Sequence, residues 1–348
     1  MKLLLETKQK IKNVIGEYET LFLALFRFVS AWLFFRWING NTGYMPRITH
    51  AYIPPLLALA CCLFPAPLTL FVGFVLIVMQ CYALGMETAA FMVVLLLLLL
   101  IFVIRFGCGS SMVTILTPIS FTFGIPVLLP VASGLLSGAA SALSAAGGVV
   151  IYYFIRFLSG QASVLSSPDV EPVEKIKILA DGLILNWGMW ITVVAFVLVI
   201  VLVNLLRTRS FDYAWHIAII FGCFVYIVVM ITGSNYLNAT VDVAYLIVSS
   251  GVAALISFVL EFFFYGGQYS RTERLQFEDD DYFYYVKAVP KGAATGQRRS
   301  VKRIRSESGQ ESYKPQRPAA PYANPIFQGD EHGKDDLEKK LEKSLHDL

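Results

Sequence analysis

Between residues 20 and 267 the apolar positions do not alternate or recur at helical spacing. They run in nearly unbroken blocks. A helix that crosses about 30 Å of hydrocarbon takes roughly 20 apolar residues. Measured against that length, the blocks 20–38, 51–65, 67–84, 88–105, 112–136, 139–158, 183–206, 214–232 and 240–265 are candidate helices in lipid. The second is short and bracketed by Pro54, Pro55, Pro65 and Pro67, so 51–84 reads as a tight hairpin of two short helices.

The block at 116–138, LTPISFTFGIPVLLPVASGLLSG, is apolar but broken. It holds three prolines, two threonines, three serines and three glycines. Each proline removes an amide donor and blocks a carbonyl one turn earlier. Lipid tolerates such freed groups only where protein or a water-filled cavity covers them. A re-entrant pair of half-helices within 112–136, turning near Phe123-Gly124-Ile125-Pro126, fits that requirement. Thr117, Ser120 and Thr122 then stand beside freed carbonyls, either lining a solute path or re-satisfying the backbone next to the prolines. Next, GLLSGAASALSAAGG (134–148) sets Gly134, Gly138, Ser141 and Ala145 at spacings of three and four. Read as one helix, this is a small-residue stripe for close helix packing.

After Gly267 the pattern changes. The aromatic, β-branched run Tyr282-Phe283-Tyr284-Tyr285-Val286 predicts a strand over 277–289. A lone strand cannot satisfy its edges, so Tyr282, Tyr284 and Val286 are expected to meet a partner: another copy, a soluble protein or the membrane surface. Residues 292–330 are basic, then polar and proline-rich, a composition that cannot build a core. In DDLEKKLEKSLHDL, Leu337, Leu341 and Leu345 share an edge, which predicts a short amphipathic helix over 335–348 for docking or self-association.

Charge sharpens the division. Residues 20–267 hold nine Lys/Arg and eight Asp/Glu, and residues 268–348 hold fifteen and fourteen. The expected organisation is a cytoplasmic segment 1–19, a transmembrane domain 20–267 and a polar cytoplasmic tail 268–348. Lysines and arginines stay cytoplasmic in short loops. Arg207 and Arg209 place the 207–213 loop inside, Arg271 and Arg274 place the tail inside, and 159–182 and 233–239 face out. Asn238-Ala-Thr240 matches the glycosylation pattern but lies at the membrane surface. The lysine-rich N-terminus also belongs inside, and both ends inside requires an even number of crossings. Two readings repair the parity: the re-entrant element at 112–136, or a surface-lying 20–38. Arg27 and Arg36 stand about 180° apart on a helix, which is no clean polar face, so the re-entrant reading is preferred. The fold class expected is an all-α, polytopic bundle of about eight crossings.

Chemistry is sparse. Arg27 is the charge nearest the middle of a span, and with Thr117, Ser120 and Thr122 completes the candidate path residues. His216 and Asp212 are four apart and could pair, while Gln80 and Asn186 could bond across helices. The four histidines show no metal spacing, the five cysteines no CxxC, and no phosphate-binding loop or nucleophile elbow occurs. No enzyme, cofactor, metal or nucleic-acid role is expected. The partners expected are the lipid bilayer and a protein, or a second copy, held by the tail and the small-residue stripe.

The segment FEDDDYFYYVKAVPK, the run LTPISFTFGIPVLLPVASGLLSG and the closing DLEKKLEKSL together resemble a family of uncharacterised multi-pass membrane proteins of Gram-positive anaerobes. Some of its members carry the label ABC transporter permease. The resemblance covers nearly the whole chain and implies a plasma-membrane location. No match to the EAA-type coupling segment, by which many such permeases engage an ATPase, occurs here. Two functions are therefore expected to compete: a transport or permease-like subunit, and a non-transporting scaffold of envelope assembly that recruits a partner through its tail.

Overall fold

The computed structural model describes residue 11, residues 16–106, 110–167, 170–209, 213–237 and 242–264, and the backbone of 273–278 and 283–288. In chain order the elements are α1 (Glu19–Thr42), α2 (Ile53–Cys61), α3 (Ala66–Tyr82), α4 (Met86–Phe106), α5 (Ser111–Thr122) and α6 (Leu128–Leu136). They continue with α7 (Ser141–Gly160), α8 (Ala162–Leu165), α9 (Pro172–Ile184), α10 (Trp187–Arg207), α11 (Ala214–Leu237) and α12 (Val243–Phe264). Strands β1 (Glu273–Glu278) and β2 (Phe283–Ala288) close the described part.

Among the described residues six helices, α1, α4, α7, α10, α11 and α12, are long and apolar enough to cross a membrane. The other candidate blocks are shorter or broken. Pro54 and Pro55 occupy the first turn of α2, where their missing donors cost nothing, and that helix runs only nine residues. Pro67 does the same for α3. Both helices pack on α1 more than on each other, so 51–84 is a looser pair than a tight hairpin. The block 112–136 splits into α5 and α6. The loop 159–182 carries α9, which the block pattern does not reveal. From Ser30 onward α1 is part of the bundle, with Phe34, Phe35 and Ile38 fully buried, so 20–38 is not a surface-lying helix.

Helix directions follow from which residues meet. Thr114 bonds to Ser144, a methyl on Gly148 would strike Thr117, and Phe121 stacks on Tyr152 with centroids 4.3 Å apart. Partners on both helices advance together, so α5 and α7 run parallel. Between them lies α6, which must carry the chain back. Tyr153 bonds to Thr192, while Gly138, just before α7, lies by Asn204, so α10 is antiparallel to α7. Gly233 meets Ile191 and Gly222 meets Val203, which makes α11 antiparallel to α10. His216 meets Glu261, which reverses α12 again. On the other side, Gly73 meets Phe34 and Gln80 meets Asn39, so α3 runs parallel to α1. Ser30 meets Met112 and Trp37 stacks on Tyr152, which aligns α1 with α5 and α7. The start of α1, the start of α5 and the end of α12 therefore lie at one end of the bundle.

The buried apolar residues form two clusters. One joins α1–α5 with the later part of α7, through Phe34, Phe35, Ile77, Ile115, Phe154 and Ile155. The other joins α6, α10, α11 and α12 with the earlier part of α7, through Val131, Leu135, Val149, Phe196, Val199 and Ile219. Large apolar side chains such as Val94, Leu97, Ile101, Ile220, Val248 and Leu255 point outward, as lipid-facing residues do.

The bundle is all-helical, and beyond it β1 and β2 pair as an antiparallel hairpin, β2 falling within the strand expected over 277–289. The strand pairs with the segment just upstream. Register sets Leu275 opposite Val286 and Phe277 opposite Tyr284. Tyr282, Leu337, Leu341 and Leu345, the tail regions 292–330 and 335–348, Asp212, Cys108 and Asn238–Thr240 lie outside the described residues.

Candidate functional site

Several backbone groups at the break between α5 and α6 find partners. The turn spans Phe123–Val127, with Gly124 at φ +74°, a left-handed conformation that costs a side-chain-bearing residue about 1 kcal/mol. Three of its amides are bonded locally: Phe123 donates to Ile119 O, Gly124 to Phe121 O and Ile125 to Ser120 O. The Gly124 carbonyl accepts the Tyr245 hydroxyl of α12 at 2.9 Å. Pro118 has no donor for the Thr114 carbonyl, and that oxygen lies against Gly148, 3.0 Å from where a methyl on it would sit. The Thr114 hydroxyl donates across to Ser144 O at 2.8 Å.

The three hydroxyls singled out as path candidates serve the same end. Thr117 donates to Val113 O at 2.7 Å, Ser120 to Thr117 O at 2.7 Å, and Thr122 to Pro118 O at 2.8 Å. Thr117 is fully buried. Of the three, Thr122 borders open space: a cavity of about 290 Å³ lies between the ends of α1 and α5, lined by Arg36, Trp37, Asn41, Ile119, Thr122 and Phe123. Arg27 is not gathered with them. It precedes Ser30, whose hydroxyl donates to Arg27 O and touches Met112 at the start of α5.

The small-residue stripe is a correction. Gly134 belongs to α6, Ser141 and Ala145 to α7, and Gly138 sits in the link with φ +88°. A left-handed residue cannot continue the helix, so the four do not share one face. Gly134 does admit a close neighbour: a methyl there would stand 2.9 Å from Val203 Cβ and 3.1 Å from Ile200 O. Ser141 and Ala145 are fully buried.

Two polar clusters were only half legible. Gln80, fully buried, accepts from Met45 N at 2.8 Å and donates to Asn39 Oδ1 at 3.2 Å, tying α1, the 43–52 loop and α3 together. Asn186 caps α10 instead of bonding across helices, with Oδ1 accepting from Met189 N. The other cluster gives His216 a neighbour on another helix; the Asp212 expected to pair with it lies outside the described residues. His216 Nδ1 lies 2.8 Å from Glu261 Oε1, and the Glu261 side chain is 4% exposed while that of His216 is 48% exposed. Ser250 and Ser257, on the same side of α12, are buried with hydroxyls that have no partner among the described residues. The sequence shows the 250-257-261 spacing, but it gives no sign that His216 stands across from it. Among the described residues no three His, Cys, Asp or Glu side chains gather as a metal site.

Long apolar helices with outward-facing hydrophobic side chains make the chain an integral membrane protein in contact with the lipid bilayer. Comparison with protein-family models, with curated proteins and with solved structures finds no match to it.

Proposed function

We propose that the protein is a multi-pass transport or permease-like subunit of the plasma membrane, with both chain ends cytoplasmic and α5–α6 dipping into the bilayer as a re-entrant pair. Eight crossings fit this arrangement: α1, α2 with residues 62–65, α3, α4, α7, α10, α11 and α12. The family resemblance agrees with the location, and the arginines after α10 and after α12 agree with the orientation.

The observation that carries the reading is the pair of half-helices between two packed halves of the bundle. Helix α5 contributes Ile115 and Ile119 to one apolar cluster, and α6 contributes Val131 and Leu135 to the other. Discontinuous helices at such a seam are how transporters bring backbone and polar groups into the membrane interior. The cavity beside the tip, with Arg36 and Thr122 on its wall, is where a solute would meet them. The test is single-cysteine substitution across 112–136 in a cysteine-free protein, with a soluble thiol reagent. Reaction is expected at positions of α5 and α6 that lie within the bilayer, away from the Phe123–Val127 turn at the bundle's end. Uniform protection across the segment contradicts a solute path.

The hairpin favours the second reading. A two-stranded sheet is marginal alone and offers two open edges. As a scaffold, the protein would recruit a cytoplasmic partner there. Deleting 271–291 should then remove a co-purifying protein and the cellular phenotype together, and a fully functional deletion rules that reading out.

A further inference from the structure

Glu261 is a carboxyl in the last turn of α12 that is 3% exposed. Neither of its oxygens has a hydrogen-bond partner among the described residues, and Oε1 stands 2.8 Å from His216 Nδ1 as a close polar contact. An ionisable group in a spanning helix is expensive and is seldom kept without a use. Neither helix end favours a charge here. His216 stands in the first turn of α11, the positive end of that helix dipole, and Glu261 stands in the last turn of α12, the negative end.

The surroundings single out one route to the carboxyl. The imidazole is half-exposed, with the Phe258 ring 5.6 Å away and the Tyr213 ring 5.7 Å away. Helix α6, packed against α12, reads LLPVASGLL and brings no titratable group. Helix α10, packed on α11, brings Arg207, whose guanidinium lies over the Trp215 ring at 5.7 Å. Helix α11 adds Cys223 and Tyr226, both further along from His216, and α12 adds Tyr245 at its opposite end. Deeper along α12, Ser257 and Ser250 stand within about 40° of Glu261 around the helix axis, with buried and unpartnered hydroxyls. The face is polar and unsatisfied from the bundle end inward.

We propose that Glu261 is a proton-binding site loaded through His216. Water delivers a proton to Nε2 of the imidazole. The imidazole passes its Nδ1 proton to Glu261 Oε1, so one proton enters, one leaves and the ring returns neutral. The carboxylate becomes a neutral acid, and the reverse sequence unloads it. His216 is a positioning and relay residue, and Glu261 is the binding group. The inference rests on α11 and α12 and holds for a transporter or a scaffold alike.

The test uses the full-length protein in phosphatidylcholine vesicles, with a membrane-soluble carbodiimide that reacts with protonated carboxyls. Labelled peptides are read by mass across a pH series. Labelling at Glu261 that rises as pH falls, disappears in Glu261→Gln and shifts its midpoint by about one pH unit in His216→Ala is expected. His216→Ala reads the relay without altering the carboxyl, and its thermal transition controls for folding. No label at Glu261 at any pH, a midpoint unmoved in His216→Ala, or full protection by sodium or potassium at constant pH would overturn the proposal, the last by making the ligand a metal cation.

Discussion

Gly147 and Gly148 are neighbours on α7, yet a methyl means different things at the two positions. At Gly148 it would sit 2.5 Å from Thr117 Cβ, 2.6 Å from Thr117 Oγ1 and 3.0 Å from Thr114 O. Ordinary contact begins at 3.4 Å, so α5 and α7 would have to separate by about 0.9 Å, the difference of 3.4 and 2.5. Thr117 is fully buried and bonded to Val113 O, and Thr114 is bonded to Ser144 O, so neither yields freely. Overpacking of this kind costs about 1–3 kcal/mol. At Gly147 the methyl would meet Val103 Cγ2 at 3.7 Å and Leu99 Cδ2 at 3.8 Å, which is ordinary contact. Both substitutions gain the same helix propensity, about 1 kcal/mol of alanine over glycine. The difference between Gly148→Ala and Gly147→Ala therefore isolates the α5–α7 approach and should be about 1–3 kcal/mol against Gly148→Ala. Reversible unfolding in mixed detergent micelles, followed by circular dichroism, measures it. Equal stability of the two variants would refute the close parallel packing of α5 on α7.

Two further outcomes follow from single bonds. Gln80→Leu leaves the Met45 amide and Asn39 Oδ1 without their buried partner and should cost about 1–3 kcal/mol in the same unfolding assay. A value near zero would mean that the network does not hold the 43–52 loop. Tyr245→Phe removes the bond to Gly124 O, worth about 0.6 kcal/mol within a membrane protein, and should leave the fold intact while speeding thiol labelling of a cysteine at position 123. An unchanged labelling rate would mean that Tyr245 does not restrain the turn.

What the sequence disclosed follows from which forces act locally. Block length carries the long helices, because crossing lipid is a matter of apolar residues in a row. The break at Phe123–Val127 is legible because Pro126 and Gly124 act on their own backbone, while α5 runs on through Pro118. The link at Gly138 is not: GLLSGAAS has helical small-residue spacing, and only the left-handed φ at Gly138 ends the run. Candidate hydroxyls were found by type, but their hydrogen bonds depend on rotamers, and all three turn to carbonyls of α5. Glu261 and His216 are 45 residues apart, and their meeting is a product of how α12 packs on α11. Likewise β2 was visible from its aromatic run, whereas Glu273–Glu278 is too mixed to announce itself as the pairing strand.

The central claim is that α5–α6 returns to the side from which it came. The most direct measurement places single cysteines at exposed Arg105, before α5, and exposed Ala139, after α6, in intact cells, and labels them with a membrane-impermeant maleimide before and after permeabilisation. Protection of both in sealed cells, with reaction of both once the cytoplasm is opened, is the predicted result. Labelling of one from outside and the other only from inside would make 111–136 a true crossing and contradict the account.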